Sequence, residues 1–473
     1  MATVFWSTVD PNSLNLFVEA ALLFDHVFTV DEASIERYRG RGHPSVAVLP
    51  FAAQPWTHNP ILFDGARKRR VGFADSALGD MHASREQTEI ILEPAIPMGL
   101  EIVSLSQSDP KHRFPASLAG SVVESLSYDD VVVADKLYKV AVALSPAGPS
   151  STICPRRIFE LLASGATVLT ERSAAIERLV GSGMVFESAS AEETKTLLRF
   201  LLRNDELRDR TAVRAVRKVI RDHTYGHRLD TILRTLGLPT EARRPTVSII
   251  CSTNRSAALP TMLANVARQT YGPLELVVVL HGEGFDEADV SAQADAAGLE
   301  EVTIRTCDAE RPLGACLNMG CEAAAGQILA KMDDDNYYAP EYLADLVDAF
   351  EYSDAGIVGK AAHYTYLSAR GMMILRFPKR EHRYTTLVQG GTLTMLREVW
   401  RELRFEDLAQ GEDTTLLRAA DAHGVRCYSA DRFNYVSVRG ADPSQHAWQI
   451  DDEELMFSGI VQAFAGRYSD VVV

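Results

Sequence analysis

Between Thr246 and Met332 the chain alternates short apolar runs with longer amphipathic ones. The runs "TVSIIC", "LELVVVL", "VTIRTC" and "QILAKM" have the length and composition of buried strands. The segments between them, "LPTMLANVARQT", "VSAQADAAG" and "LGACLNMGCEAAAG", have that of helices. Parallel strands need crossover connections of about a dozen residues or more, which is what a βαβαβαβ series supplies. The pattern therefore predicts an α/β fold with a mainly parallel sheet covered by helices. Such sheets bind ligands beyond the carboxyl ends of their strands. The last run of the series leads directly into Asp333, Asp334 and Asp335.

The chain's 473 residues are enough for two or three domains. In "LGLPTEARRPTVSIICSTNR" a helical pattern ends near Leu236, a polar stretch with Pro239, Arg243, Arg244 and Pro245 follows, and a strand begins at Val247. That is linker composition, and it puts a boundary near residue 242, with domains at 1–241 and 242–473. The front half repeats the α/β style. Strand candidates are "TVFW", "HVFTV", "SVAVLPF", "RVGFA", "KVAVAL", "ATVLT" and "GMVF". Helix candidates include "PRRIFELLASG", "SAEETKTLLRFLLRN" and "DELRDRTAVRAVRKVIRDH". They read as a mainly parallel sheet with helices on both faces.

A formal net charge of −16 argues against a general nucleic-acid or anionic-membrane binder. It leaves room for a local basic pocket that holds phosphates. The six cysteines, at 154, 251, 307, 316, 321 and 427, include no C-x-x-C pair and no zinc-spaced cluster, so buried free thiols are expected. The start "MATVFWSTVDPNSLNLF" lacks the basic and apolar regions of a signal peptide, and no apolar run approaches the roughly 18 residues of a membrane span. The expectation is a cytoplasmic protein, with peripheral contact at the inner membrane face and homo-oligomer formation left open.

Adjacent carboxylates repel, so Asp333, Asp334 and Asp335 are costly unless a cation is meant to join them. On a strand-to-helix loop such groups can bind Mg²⁺ or Mn²⁺ together with substrate phosphates. The alternative is an acidic turn capping the helix "PEYLADLVDAFEY", with Pro340 in its first turn. A second acidic pair, Glu412 and Asp413 in "GEDTTLLRAADAHG", opens another helix. It offers a carboxylate for proton abstraction, or a helix cap, or both.

Four pieces of the rear half, in order, resemble the family 2 glycosyltransferases. They are "TVSIICSTNRSAALPTMLANVARQTYGPLELVVV", "RPLGACLNMGCEAAAGQILAKMDDDNYYAPEYL", "VQGGTLTMLREVW" and "RFEDLAQGEDTTLLRAADAHG". The resemblance implies a GT-A fold and a metal-dependent, inverting transfer of a sugar from a nucleotide-sugar to a hydroxyl of a glycan or glycoconjugate, possibly lipid-linked, in cell-surface polysaccharide synthesis. It makes Asp413 the catalytic base, with Glu412 orienting the site or touching the acceptor. It assigns Asp335, Asp333 and His446 to the metal, and Thr253, Asn254, Arg255, Arg311, Asp333, Asp334 and Gly391 to the nucleotide-sugar. Asp334 fills the variable middle position and is expected to tolerate change best. Trp448 is a candidate aromatic wall for a sugar. Relatives carry an Asp-Asp pair after the second strand, whereas here "LELVVVL" is followed by His281, Gly282 and Glu283. UDP-sugar is the leading donor, with dTDP- and GDP-sugars as alternatives.

In the front half, "SSTICPRRIFELLASGATVLTERSAAIERLV" resembles the nucleotide-sugar half of GT-B glycosyltransferases of the CgeB-like or group 1 type. Two Rossmann-like modules are thus expected, a GT-B-half-like one and a GT-A one. Glu160 matches the second of that family's paired glutamates, while Thr152 stands where the first would be. Arg156, Arg157 and Glu160 therefore either form a second nucleotide site or brace a helix in an accessory domain. The first option would make the protein bifunctional, with a second, retaining activity. The same motifs also admit a non-catalytic glycan-binding scaffold or a nucleotidyltransferase.

Overall fold

The computed structural model describes residues 2–75, 84–104, 115–125, 128–144, 150–240, 244–440, 452–457, 459–464 and 466–473. It forms two compact units, Met1–Thr240 and Glu241–Val473. Both are α/β bodies of Rossmann type built on parallel strands, as the alternating pattern requires.

The first unit holds two sheets where the sequence suggested one. Strands β1 (Val4–Ser7), β2 (His26–Thr29) and β3 (Val46–Val48) form a three-stranded parallel sheet. Strands β4 (Arg69–Asp75), β5 (Leu100–Ser104), β6 (Val122–Ser125), β7 (Tyr138–Val142), β8 (Val168–Glu171) and β9 (Phe186–Ser188) form a parallel sheet in the order 6-5-4-7-8-9. The break falls after β3, where Pro50, Pro55 and Pro60 interrupt the chain and no ladder can continue. Strands β5 and β6 are additions to the expected set. The predicted helices form at Arg156–Ala163, Ala191–Arg203 and Asp205–Asp222.

In the second unit β10 (Val247–Thr253), β11 (Leu274–His281), β12 (Val302–Cys307) and β13 (Ile328–Lys331) are the four expected parallel strands, in the order 12-11-10-13. Beyond β13 the chain adds β14 (Tyr337–Tyr338), β15 (Ile357–Gly359), β16 (His363–Leu367), β17 (Met372–Arg376), β18 (Arg383–Thr385), β19 (Thr394–Leu396), β20 (Cys427–Ser429), β21 (Tyr435–Arg439) and β22 (Gly459–Phe464). The main sheet continues 13-19-15-20-18. Strand β19 is antiparallel to both β13 and β15, and β20 is parallel to β15. A smaller sheet runs 14-21-16-17-22.

Helices Leu313–Ala323, Arg397–Leu403 and Glu412–Ala422 share one apolar core against the main sheet, through Leu317, Trp400, Phe405, Leu416 and Leu417. Gly320 lets the first of them lie close. A Cβ there would sit 2.7 Å from Ile250 of β10. All six cysteines are buried free thiols, as expected. Among the described residues no helix is long and apolar enough to cross a membrane.

Candidate active site

Strand directions decide which residues can meet. Strands β10 to β13, β15 and β20 point the same way, and β19 points back. The ends of β10 and β13, the entry to β19 and the start of the helix leading into β20 therefore share one edge of the sheet. That edge carries Thr253–Arg255, Asp333–Asp335, Gly390–Gly391 and Glu412–Asp413. It is the edge where α/β sheets hold ligands.

The contacts are close. A Cβ on Gly390 would lie 1.8 Å from Asp413 Oδ2, and one on Gly391 would lie 2.4 Å from Asp333 Oδ2. Neither glycine has a positive φ, so space rather than backbone conformation demands glycine there. Consecutive Cα atoms are 3.8 Å apart, so the two carboxylates are at most about 11 Å apart across this turn. Asp413 is the second residue of the Glu412–Ala422 helix, entered through Gly411 at φ 82°. Its Oδ1 accepts from the backbone N–H of Thr414 at 2.6 Å and from the Thr414 hydroxyl at 3.2 Å, which leaves Oδ2 facing the glycines. Glu412 is buried. Burial pushes its carboxyl up, Lys331 opposes that, and Asp413 adds to it.

The acidic loop is locked from below. Tyr338 OH accepts from the Asp333 backbone N–H at 2.7 Å and donates to the Gly391 carbonyl at 2.8 Å. Asn336 donates to Asp333 Oδ2 at 3.1 Å and accepts from the backbone N–H of Val438 at 3.0 Å. Lys331 donates to Asp333 Oδ1 at 2.6 Å. The helix after the loop spans Tyr342–Asp348 with Glu341 as its cap, so Pro340 precedes it rather than opening its first turn.

Asp334, the middle aspartate, is held by buried contacts. It is 6% exposed. It accepts from the Thr253 hydroxyl at 2.5 Å and from Arg255 at both carboxylate oxygens. A buried carboxylate with these partners ties the β13 loop to the β10 loop. Thr253 is likewise buried and spent on this contact. Asn254 is exposed on the same edge. Arg255 reaches further, to Asp335 Oδ2 at 2.9 Å. Its guanidinium would be weakened by burial, but Asp334 and Asp335 hold it firmly charged.

Asp335 sits where burial raises its carboxyl, and the charges of Asp333 and Asp334 raise it further against the pull of Arg255. A divalent cation beside Asp333 and Asp335 would relieve that excess of negative charge, so the residues present fit one. They supply two protein carboxylates, and among the described residues no group of three or more His, Cys, Asp or Glu forms a metal-holding cluster. Two carboxylates completed by substrate phosphates is a usual arrangement for Mg²⁺. His446 and Trp448, the remaining candidates from the sequence, lie outside the described residues.

Arg311 follows the carboxyl end of β12, just before the Leu313–Ala323 helix. It lines a cavity of about 650 Å³ with Asn318, Glu322, Arg404, Glu406 and Leu408. In the first unit, Arg157 and Glu160 are largely buried and ion-paired. Arg157 makes a two-pronged ion pair with buried Asp135. Glu160, 2% exposed, is met by Arg156 at 3.0 Å, Arg157 at 3.6 Å and His58 at 3.7 Å. These side chains brace the Arg156–Ala163 helix.

Lys331 and Tyr338 were missed by sequence reasoning. The signal for Lys331 was present, since an ammonium ending an apolar strand just before three carboxylates needs an electrostatic reason.

Residues 248–410 match the model of glycosyl transferase family 2. Residues 105–234 match a second model, described as glycosyl transferase-like. Both halves of the chain are thus similar to glycosyl transferases, as their motifs implied. A stretch of 116 residues is 33% identical to the glucosyl-dolichyl phosphate glucuronosyltransferase of Haloferax volcanii, covering 24% of this chain and 36% of that one. The uncharacterized glycosyltransferase YwdF of Bacillus subtilis is 29% identical over 117 residues, 23% of this chain and 41% of that one. The chain therefore spans about two fifths or less of these curated relatives. Among solved structures, the mannosyltransferase PcManGT from Pyrobaculum calidifontis, in complex with GDP-Man and Mn²⁺, is similar over 46% of this chain and 63% of its own, at 22% identity and a TM-score of 0.35.

Proposed function

We propose that residues 245–473 transfer a sugar from a nucleotide-sugar to a hydroxyl of a glycan or glycoconjugate, with inversion at the anomeric carbon. The observation that carries this is the Gly390–Gly391 turn, which sets Asp413 on one side and Asp333 on the other. A donor diphosphate near Asp333 and Asp335 and an acceptor hydroxyl near Asp413 would then face each other across it.

In this mechanism Asp413 Oδ2 takes the proton from the acceptor hydroxyl as that oxygen attacks the anomeric carbon. The bond from that carbon to the diphosphate oxygen breaks on the opposite face, and the nucleoside diphosphate departs with the electron pair. The Thr414 N–H and hydroxyl hold Asp413 Oδ1, which fixes the carboxylate without consuming its second oxygen. Asp333 and Asp335 would hold Mn²⁺ or Mg²⁺, whose chemistry is to neutralise charge on the leaving diphosphate. Arg255 lies beside Asp335, at 2.9 Å. UDP-sugar is the first donor to try.

The archaeal relative is named for a glucosyl-dolichyl phosphate acceptor, so lipid-linked sugars head the acceptor panel. With such acceptors the protein would work at the inner face of the membrane. The braced network around Glu160 supports an accessory rather than a catalytic first unit. Thermal shift of the full chain against nucleotide-sugars with Mn²⁺ tests the donor half of the proposal. At a hundredfold excess over Kd a ligand of the folded state adds about 2.7 kcal/mol. EDTA should remove the shift, and no shift with any nucleotide-sugar would reject the proposal.

A further inference from the structure

We infer that Tyr338 is a positioning residue whose hydroxyl sets the separation between the donor-side carboxylate Asp333 and the proposed base Asp413. The inference rests on the reading of this edge as a sugar-transfer site.

Tyr338 is the second residue of β14 and is fully buried. Its place is fixed by backbone and ring together. In the ladder it pairs with Tyr435 of β21. Its backbone N–H donates to Asn265 Oδ1 at 3.2 Å. Its ring meets Tyr342 edge-on at 4.8 Å between centroids, and Tyr435 at 5.3 Å. A close-packed ring of this kind has little room to turn, so the direction of its hydroxyl is set. A tyrosine hydroxyl has one proton to give and lone pairs to accept with. Here it accepts from the Asp333 backbone N–H at 2.7 Å and donates to the Gly391 carbonyl at 2.8 Å. One oxygen thus holds the two backbones within two hydrogen-bond lengths of each other.

Those backbones carry the two sides of the proposed reaction. Asp333 opens the acidic loop. Gly391 leaves room for Asp333 Oδ2, and its neighbour Gly390 leaves room for Asp413 Oδ2. The contacts therefore run unbroken from Tyr338 through the glycine turn to Asp413. A turn that drifts from the loop moves the surface on which both carboxylates rest. The Lys331 backbone N–H also ties β13 to this segment, donating to the Leu393 carbonyl at 2.7 Å. That bond lies two residues past Gly391, and Tyr338 carries the tie out to the glycines. The hydroxyl is spent on the two backbones, so it acts through Asp333 and Asp413 rather than on the substrates. Without it the Asp333 N–H and the buried Gly391 carbonyl lose this partner, which favours movement of both toward others. Misplacing a reacting group by about 1 Å costs on the order of 100-fold in rate. A turn that is loosened rather than displaced should lose at least about tenfold.

Tyr342 supplies the control. It is as buried as Tyr338 and packs on its ring, but its hydroxyl bonds to none of the described residues. The test compares full-length Tyr338→Phe and Tyr342→Phe, each of which deletes one buried hydroxyl and keeps the ring. Calorimetry measures binding of UDP with Mn²⁺, or of GDP or dTDP where UDP does not bind. Turnover is read as release of nucleoside diphosphate, with water in the acceptor's place, from the nucleotide-sugar that most stabilises the wild-type chain. Tyr338→Phe should lose at least tenfold in turnover and at least threefold in affinity. Tyr342→Phe should stay within twofold in both. A tyrosine that only stabilised the fold would lower Tm and leave both readings, taken well below it, unchanged. A folded Tyr338→Phe with turnover within threefold of wild type overturns the inference, and so does an equal loss in Tyr342→Phe. If Tyr338→Phe does not fold, 4-aminophenylalanine at position 338 decides. It keeps a donor for Gly391 and loses most of the acceptor for Asp333, so turnover must fall at least threefold, and wild-type turnover overturns the inference. Transfer at the wild-type rate by Asp413→Asn would instead reject the reading of the site, whatever the tyrosine variants do.

Discussion

Replacing Gly390 by alanine would separate chemistry from donor binding. The added methyl would lie 1.8 Å from Asp413 Oδ2 and 2.8 Å from its Cγ. Ordinary contact begins near 3.4 Å, so the carboxylate must retreat by about 1.6 Å. It cannot swing freely, because Oδ1 is tied to Thr414 twice. Misplacing a reacting group by about 1 Å costs on the order of 100-fold in rate, or about 2.7 kcal/mol of barrier. The expected kcat is therefore at least about 100-fold below wild type, with the donor KM within twofold. Overpacking costs about 1–3 kcal/mol of stability, a Tm loss of several degrees that leaves the protein folded at 25 °C. Gly391→Ala should do the opposite, since its methyl would meet Asp333 Oδ2 at 2.4 Å and disturb the donor side. Steady-state kinetics on both variants would check the pair. A folded Gly390→Ala enzyme with kcat within threefold of wild type would refute the placement of Asp413. So would a loss confined to donor KM.

Asp334→Ala should destabilise the second unit by about 1–3 kcal/mol, because Thr253 and Arg255 lose a buried acceptor. Urea titration would show it, and an unchanged midpoint would contradict the tie between the β10 and β13 loops. Stability should also fall as pH drops below about 6.5. Burial, aided by Arg228, lowers His223 to about 4, and burial, aided by Arg376, lowers His363 to about 3. Both imidazoles are thus neutral in the folded state and take up protons on unfolding. Their contribution is complete above the unfolded value and is lost as pH falls toward those numbers, by up to about 1.4 kcal/mol per pH unit for each histidine. Denaturant midpoints at pH 7 and pH 5 would measure this, and equal midpoints would contradict it.

The fold was legible where the pattern was local. The strands from Val247 to Lys331 are long, apolar and separated by helices of ordinary length, so period and length agree. Past Lys331 the added strands are mostly three to five residues long, β14 has two, and several belong to a second sheet. Their pairing depends on partners far along the chain, which no local period reveals. The two-residue β14, for instance, pairs with β21 nearly a hundred residues later. In the site, the acidic groups were legible because like charges in sequence are costly and need a reason. The role of Asp334 was not, because it depends on Thr253 and Arg255 approaching from β10. Lys331 was overlooked although its partner Asp333 is only two residues away. The Arg156–Glu160 motif looked like a site because its residue types are those that hold ribose and phosphate. Asp135 and His58, both distant in sequence, turn it inward.

The central claim is that Asp413 abstracts the acceptor proton in a sugar transfer. It is tested most directly by full-length Asp413→Asn, measured for nucleotide-sugar binding and for transfer with Mn²⁺ present. The account predicts donor affinity within about twofold of wild type and transfer reduced at least about 1,000-fold, within the range spanned by general-base catalysis. Transfer at the wild-type rate by that variant would contradict it.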